Sequence, residues 1–245
     1  MKTPAHSSYF CSELINELHE IEKEVNNNSF SYTLGFNLTH GEPLRAKIYI
    51  RFFDRDDSFL KFFKILPDQN IRQMAIHDFR QAHDIAFQKS ELGFKGFTIG
   101  VAQDFGLNKI AYGWGARSLD AEKISFNGYK FCDGFLFKKI YRYARADKTP
   151  LQLPFMTKMI EVQHDWLGIS EDKYCLCPSL KNNDLISVSN SLANNLSPES
   201  VVFHNKIIRS DPNLWLVNMG IGPGEEKVYY HNFSFQNQIK KYLLK

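Results

Sequence analysis

The chain has few cysteines and fewer tryptophans, four and three in 245 residues. Cys11, Cys132, Cys175 and Cys177 are irregularly spaced, and the one close pair is C-x-C, which matches neither a zinc knuckle nor a thioredoxin-type motif. They read as reduced cysteines, the pair lying on a strand. An excess of one charge is also missing. Thirty basic residues against 27 acidic leave a net charge of +3, too small a bias to argue for nucleic acid or an anionic membrane as partner. No apolar run reaches the length of a membrane span. The opening MKTPAHSSYF leads into a charged segment without the apolar centre of a secretory signal, so a cytoplasmic protein is expected. Glycine and proline, 14 and 9, are too sparse for a collagen-like or disordered chain. The patterns G-x-S-x-G and H-E-x-x-H and the Walker and Rossmann glycine motifs do not occur, which removes the usual signatures of serine hydrolases, zinc proteases and nucleotide-binding enzymes. No linker divides residues 1–245, which read as a single domain able to bury roughly 70–75% of its unfolded surface.

What the chain has in quantity is Phe and Tyr, 21 and 11 residues. Helical periodicity places an amphipathic helix over 9–25, where Leu14, Leu18, Ile21 and Val25 recur at helical spacing. A second is predicted over 70–88, with Ile71, Met74, Ala75, Phe79 and Ala82 in one stripe, and a third over 154–167. Shorter helices are predicted near 55–64 and 234–244. Between them lie five predicted hairpins, over 29–53, 96–114, 123–145, 173–192 and 213–233, with Gly, Asp, Asn or Pro in their turns.

The second strands of four hairpins repeat one theme: Lys47-Ile48-Tyr49, Lys109-Ile110-Ala111-Tyr112, Lys139-Ile140-Tyr141 and Lys227-Val228-Tyr229. Alternation along a strand puts Arg45, Lys47, Tyr49 and Arg51 on one face and Ala46, Ile48, Ile50 and Phe52 on the other. The apolar face needs cover, and helices between the hairpins are available to give it. Phe137, Lys139, Tyr141, Tyr143 and Arg145 share a face likewise, as do Lys227, Tyr229, His231 and Phe233. The extra residue in the 109–112 repeat sets Lys109 and Tyr112 on opposite faces unless a bulge intervenes. A shared concave surface of Lys, Arg and Tyr suits a ligand with an oligophosphate end and an apolar or cationic body. A plain sheet whose polar face meets water has the same local pattern.

The layout resembles the ABBA-type prenyltransferases, in which antiparallel hairpins form a β-barrel inside a ring of helices, and within them the cyanobactin peptide prenyltransferases. GFNLTHGEPLRAKIYIRF, IGVAQDFGLNKIAYGW and LWLVNMGIGPGEEKVYYHNF carry the likeness. The resemblance implies an α/β fold, a repeated-hairpin barrel surrounded by helices, and transfer of an isoprenoid group from an allylic diphosphate to a peptide side chain or small aromatic acceptor. It implies donor-binding roles for Arg45, Lys47, Tyr49, Arg51, Lys139, Tyr141, Lys227 and Tyr229, with Lys109 and Tyr112 as further candidates. It leaves room for Mg2+ accompanying the diphosphate and implies no other cofactor. Residues 29–39 contain no acid where family members often carry a catalytic Glu. The candidates for an acid–base role are therefore Asp104, Glu226 and His231, with Glu42 also near a turn.

Asp54-Arg55-Asp56-Asp57 lacks the spacing of a magnesium-binding aspartate motif and reads as a solvated turn. His77 and His83 point to different helix faces. His164-Asp165 reads as a surface pair at a helix end, and Gly222-Pro223-Gly224 as a hairpin loop. Two other functions are compatible with a cationic, aromatic sheet: a non-catalytic barrel holding an amphipathic or phosphorylated ligand, and a sheet that stacks the bases of RNA or a single strand.

Overall fold

The eight residues Arg45–Phe52 alternate between long cations or phenols and aliphatic or aromatic side chains, and the fold is built on that alternation. Ile48, Ile50 and Phe52 are each 1% exposed, whereas Lys47 and Tyr49 retain accessible surface. The computed structural model describes residues 12–25, 30–37, 45–52, 56–82, 96–104, 109–120, 123–145, 164–170, 173–178, 215–222 and 225–232. Ten strands lie within them: β1 (Phe30–Asn37), β2 (Arg45–Phe52), β3 (Phe97–Asp104), β4 (Lys109–Asp120), β5 (Lys123–Cys132), β6 (Phe135–Arg145), β7 (His164–Ser170), β8 (Lys173–Pro178), β9 (Trp215–Gly222) and β10 (Glu225–Asn232). Helix α1 (Ser12–Lys23) precedes β1; a 3-10 helix (Asp57–Ile65) and α2 (Gln69–Gln81) lie between β2 and β3. The class is α/β, an antiparallel sheet with accompanying helices.

Each strand pairs antiparallel with its sequence neighbours, and β1 pairs with β10 as well as with β2. Register is continuous through the first ladders. Tyr32 lies opposite Ile50, Ile50 opposite Ile99 and Ile99 opposite Trp114. One face of β1–β4 is thereby apolar along its whole width, and the helices cover it.

That cover is built largely of phenylalanine. Phe59, Phe62 and Phe63 of the 3-10 helix have no exposed surface. Phe52 stacks on Phe59 at 4.6 Å between centroids and lies 6.1 Å from Phe97, with Phe79 of α2 edge-on at 5.7 Å. Offset and edge-to-face arrangements are those aromatic quadrupoles favour. The short helices start where side chains can cap them: Asp56 accepts from the Ser58 amide at 2.8 Å and Asp68 from the Ile71 amide at 3.0 Å, satisfying donors that a helix start leaves open. On α2, Ile71, Ala75 and Phe79 are buried at intervals of four residues, while Met74 is 43% exposed. Asp78 on the same helix accepts the indole N–H of Trp114 at 2.8 Å and ties α2 to β4. On α1, Glu22 accepts a short hydrogen bond from the Tyr32 hydroxyl. Burial and that neighbouring carboxylate raise the Tyr32 phenol well above its usual range.

Two sequence expectations are corrected. Residues 164–167, where periodicity predicts the end of a helix, begin β7 and pair with both β6 and β8. Gly168 is a poor helix residue, and Trp166, Leu167 and Ile169 suit a strand. His164 and Asp165 are accordingly strand residues. Lys173–Pro178 pairs back to β7 and onward to β9, so its hairpin partner precedes it. Residues 83–88, 154–163, 179–192 and 234–244 lie outside the described set.

Candidate functional site

On the face of the sheet away from the helices, small residues decide where large ones lie. Gly35 of β1 stands in register between Lys47 of β2 and Tyr229 of β10. A Cβ at Gly35 would sit 2.5 Å from Cδ1 and 2.6 Å from Cε1 of Tyr229, so the ring lies across β1 over the glycine. The same relation recurs on other strands. Tyr49 lies over Gly100, Phe126 over Gly115 and Tyr143 over Gly168. Each glycine gives an aromatic ring a floor that any other residue would fill.

Because Tyr229 leans over β1, it meets β2. Lys47 Nζ lies 3.4 Å from the Tyr229 hydroxyl and 5.8 Å from the ring centroid. Both distances belong to a cation held at the rim of a phenol ring. The Tyr49 and Tyr229 rings are 6.0 Å apart and inclined at 52°. Tyr49 keeps some accessible surface, yet protein atoms surround its hydroxyl, and burial pushes this phenol up to about 12. Arg51, 7% exposed, lies two residues along β2 between Ser31 and Thr98. Lys227 follows on β10, in register with Gly220 and Asn37. Lys47, Tyr49 and Arg51 of β2 and Lys227 and Tyr229 of β10 are thus gathered on the two strands that flank β1.

Other candidates lie elsewhere. Lys139 and Tyr141 share the same face of β6, with the Lys139 ammonium 5.8 Å from the Tyr141 centroid. Lys109 is held at the start of β4 by Asp133, 2.8 Å away. This contact raises the Lys109 ammonium and lowers the Asp133 carboxyl. Tyr112 falls on the helix-bearing face, in register with Val101 and Phe131, and no register shift separates it from Lys109. Arg45 opens β2 in register with Asp104, which is also paired with Lys109. Glu226 pairs with Ile221 and alternates with Lys227 and Tyr229. His231 is in register with Thr33 and Trp215, two residues beyond Tyr229.

Sequence reading missed Arg117, 1% exposed and in register with Phe126, although it belongs to the same face. The signal was available: Lys109, Ala111, Gly113, Gly115 and Arg117 are alternate residues of one strand, small in the middle and cationic at both ends. Among the described residues no three His, Cys, Asp or Glu side chains gather as a metal site. No helix among the described residues is long and apolar enough to cross a membrane. No protein-family model and no curated protein matches the chain.

Proposed function

We propose that the chain is a prenyltransferase of the ABBA kind, in which the ten strands close around the Lys/Tyr face as a barrel lumen. In such a ring β6 stands across from β1, so Lys139 and Tyr141 face the Lys47–Tyr229 contact. The donor is an isoprenoid diphosphate, dimethylallyl or geranyl, and the acceptor a peptide side chain or small aromatic. The observation that carries the reading is the gathering of Lys47, Arg51 and Lys227 around the phenols Tyr49 and Tyr229. Cations fixed beside the diphosphate stabilise charge as the allylic C–O bond breaks and diphosphate departs. Neutral phenol rings around the carbon chain enclose the allylic cation and keep water from capturing it. Tyr49 is suited to this because its ring lies beside that of Tyr229, 6.0 Å between centroids. The acceptor's electron pair forms the new bond to the allylic carbon, and its surplus proton passes to a base. Of Asp104, Glu226 and His231, the last alternates in step with Lys227 and Tyr229 along β10 and is the first to test.

Binding of dimethylallyl and geranyl diphosphate, measured calorimetrically with inorganic diphosphate and a short RNA as controls, tests the donor site. Lys47→Ala and Lys227→Ala are expected to weaken donor binding by roughly tenfold or more each, the loss of one charge-assisted contact, while the fold is retained. Unchanged affinity in both variants overturns the assignment. One observation favours a second reading, a barrel that holds a phosphorylated amphiphile without turnover: residues 29–39 contain no acid. Mass spectrometry of a tyrosine-containing peptide incubated with donor separates the two.

A further inference from the structure

The turn between β5 and β6 is Asp133-Gly134, with φ of 53° and 80°. Two left-handed residues make it a tight hairpin turn flanked by the pair Cys132 and Phe135. That pair exchanges both backbone hydrogen bonds, and hydrogen-bonded and non-bonded pairs alternate from there. Phe137 and Lys139 therefore bond to β5. Leu136, Lys138 and Ile140 aim their N–H and C=O groups the other way, toward the position of β7. Among the described residues, β7 pairs with β6 only over Arg142–Arg145. Three consecutive outward backbone sites of β6, about 7 Å apart, thus stand beyond the end of β7, along an edge with which no other described strand pairs. The side chains there are bare as well: Leu136 is 38%, Ile140 42%, Phe137 57% and Phe135 68% exposed. An edge of this kind is a template for an added strand.

Charge selects what can add. Residues 123–145 carry Lys123, Lys130, Lys138, Lys139, Arg142 and Arg145 against the single acid Asp133, and Lys109 already holds that acid at 2.8 Å. A second copy of the chain paired on this edge would set Lys138 close to its own counterpart, and like charges across a ladder are unfavourable. We propose that the Leu136–Ile140 edge of β6 docks an extended acidic peptide as an added strand that continues the line of β7. The proposal does not depend on prenyl transfer. If both hold, the edge lies beside Lys139 and Tyr141, where a peptide acceptor would be presented.

The test uses the full chain and a fluorescein-labelled peptide alternating Glu with Val, its Lys/Val counterpart serving as control. In the free protein the amides of Leu136, Lys138 and Ile140 are expected to exchange with solvent at least about tenfold faster than those of Phe137 and Lys139. The Glu/Val peptide is expected to slow those three amides and to bind by anisotropy, and the Lys/Val peptide to do neither. Lys138→Pro removes one outward N–H without touching the β5 ladder, and Lys138→Ala removes the charge alone. The proline variant is expected to bind about tenfold more weakly than the alanine variant, the loss of one backbone contact, with Phe137 and Lys139 still protected. Ile140→Pro makes the same comparison at a second site. Slow exchange of the three amides in the free protein overturns the proposal, as does a Glu/Val peptide that leaves them unchanged. Equal binding by the proline and alanine variants, or a concentration-dependent dimer that protects the edge without peptide, overturns it too. None of these outcomes bears on donor binding, so failure here and failure of the prenyltransferase reading are distinguishable.

Discussion

Replacing Gly35 with alanine asks whether the Tyr229 ring lies over β1. The new Cβ would meet the ring at 2.5 and 2.6 Å, where ordinary contact begins at 3.4 Å. The ring must therefore retreat by about 1 Å, and its contact with the Lys47 ammonium loosens with it. Overpacking of this size costs roughly 1–3 kcal/mol. Alanine also removes backbone freedom from the unfolded chain, which returns about 0.4–1 kcal/mol. The expected net effect of Gly35→Ala is a loss of about 1–2 kcal/mol. In a Tyr229→Ala background the obstacle is gone, and the same substitution becomes neutral or stabilising. A double-mutant cycle in urea, read at constant m-value, should therefore give a coupling of about 2 kcal/mol. Gly100 supplies the contrast. Its Cβ would strike the Ile48 carbonyl oxygen as well as the Tyr49 ring, so Tyr49→Ala leaves much of the cost of Gly100→Ala in place. If Gly35→Ala costs the same with and without Tyr229, the ring is not where the argument puts it.

Two other perturbations test the layers on either side of the sheet. Phe52 is 1% exposed and stacks on both Phe59 and Phe97, so Phe52→Ala should lose about 3–5 kcal/mol. A loss under about 1.5 kcal/mol in denaturant unfolding would mean the aromatic cluster is loosely packed. Tyr49 should ionise near 12, visible in an ultraviolet titration as a late phenol beside that of Tyr32, and Tyr49→Phe should remove one phenol's worth of the late change. The unfolded chain releases this proton first, near its usual value of about 10, so the folded state becomes less stable as pH rises through that range. The contribution is present in full below about pH 10 and declines by roughly 2–3 kcal/mol by pH 12. Unfolding free energies of wild type and Tyr49→Phe that fall in parallel across this window refute the burial of that hydroxyl.

Much of the fold can be read from the chain because its strongest signals are local. The alternation in Arg45–Phe52, the stripe of Ile71, Ala75 and Phe79, and the Asp133-Gly134 turn each declare their element without help from the rest. Reading fails where a short segment carries two signals. Residues 154–167 run from a stretch with helical periodicity into His164–Ser170, and only the partners β6 and β8 decide that the latter is a strand. Lys173–Pro178 looks like the first half of a hairpin, but antiparallel neighbours can lie on either side of a strand, and here β7 precedes it. Propensity cannot choose between two partners.

The site is less legible than the fold for a related reason. Alternation tells which residues of one strand share a face, and on that ground Lys47, Tyr49 and Arg51 group correctly, as do Lys227 and Tyr229. It does not say that the two groups meet. Their meeting depends on the ladder between β1 and β10, whose strands lie at opposite ends of the described chain, and on Gly35, which has no side chain to draw attention in a search for chemistry. A glycine in a strand ordinarily weakens it. Here four of them lie beneath aromatic rings, and the stabilising contact and the site geometry are the same contact. Glycine on alternate positions of a strand whose neighbour carries Tyr or Phe is thus the pattern to read. In this sequence it marks Gly113 and Gly115 as members of the face that ends in Arg117, a cation that the search for Lys-x-Tyr repeats passes over.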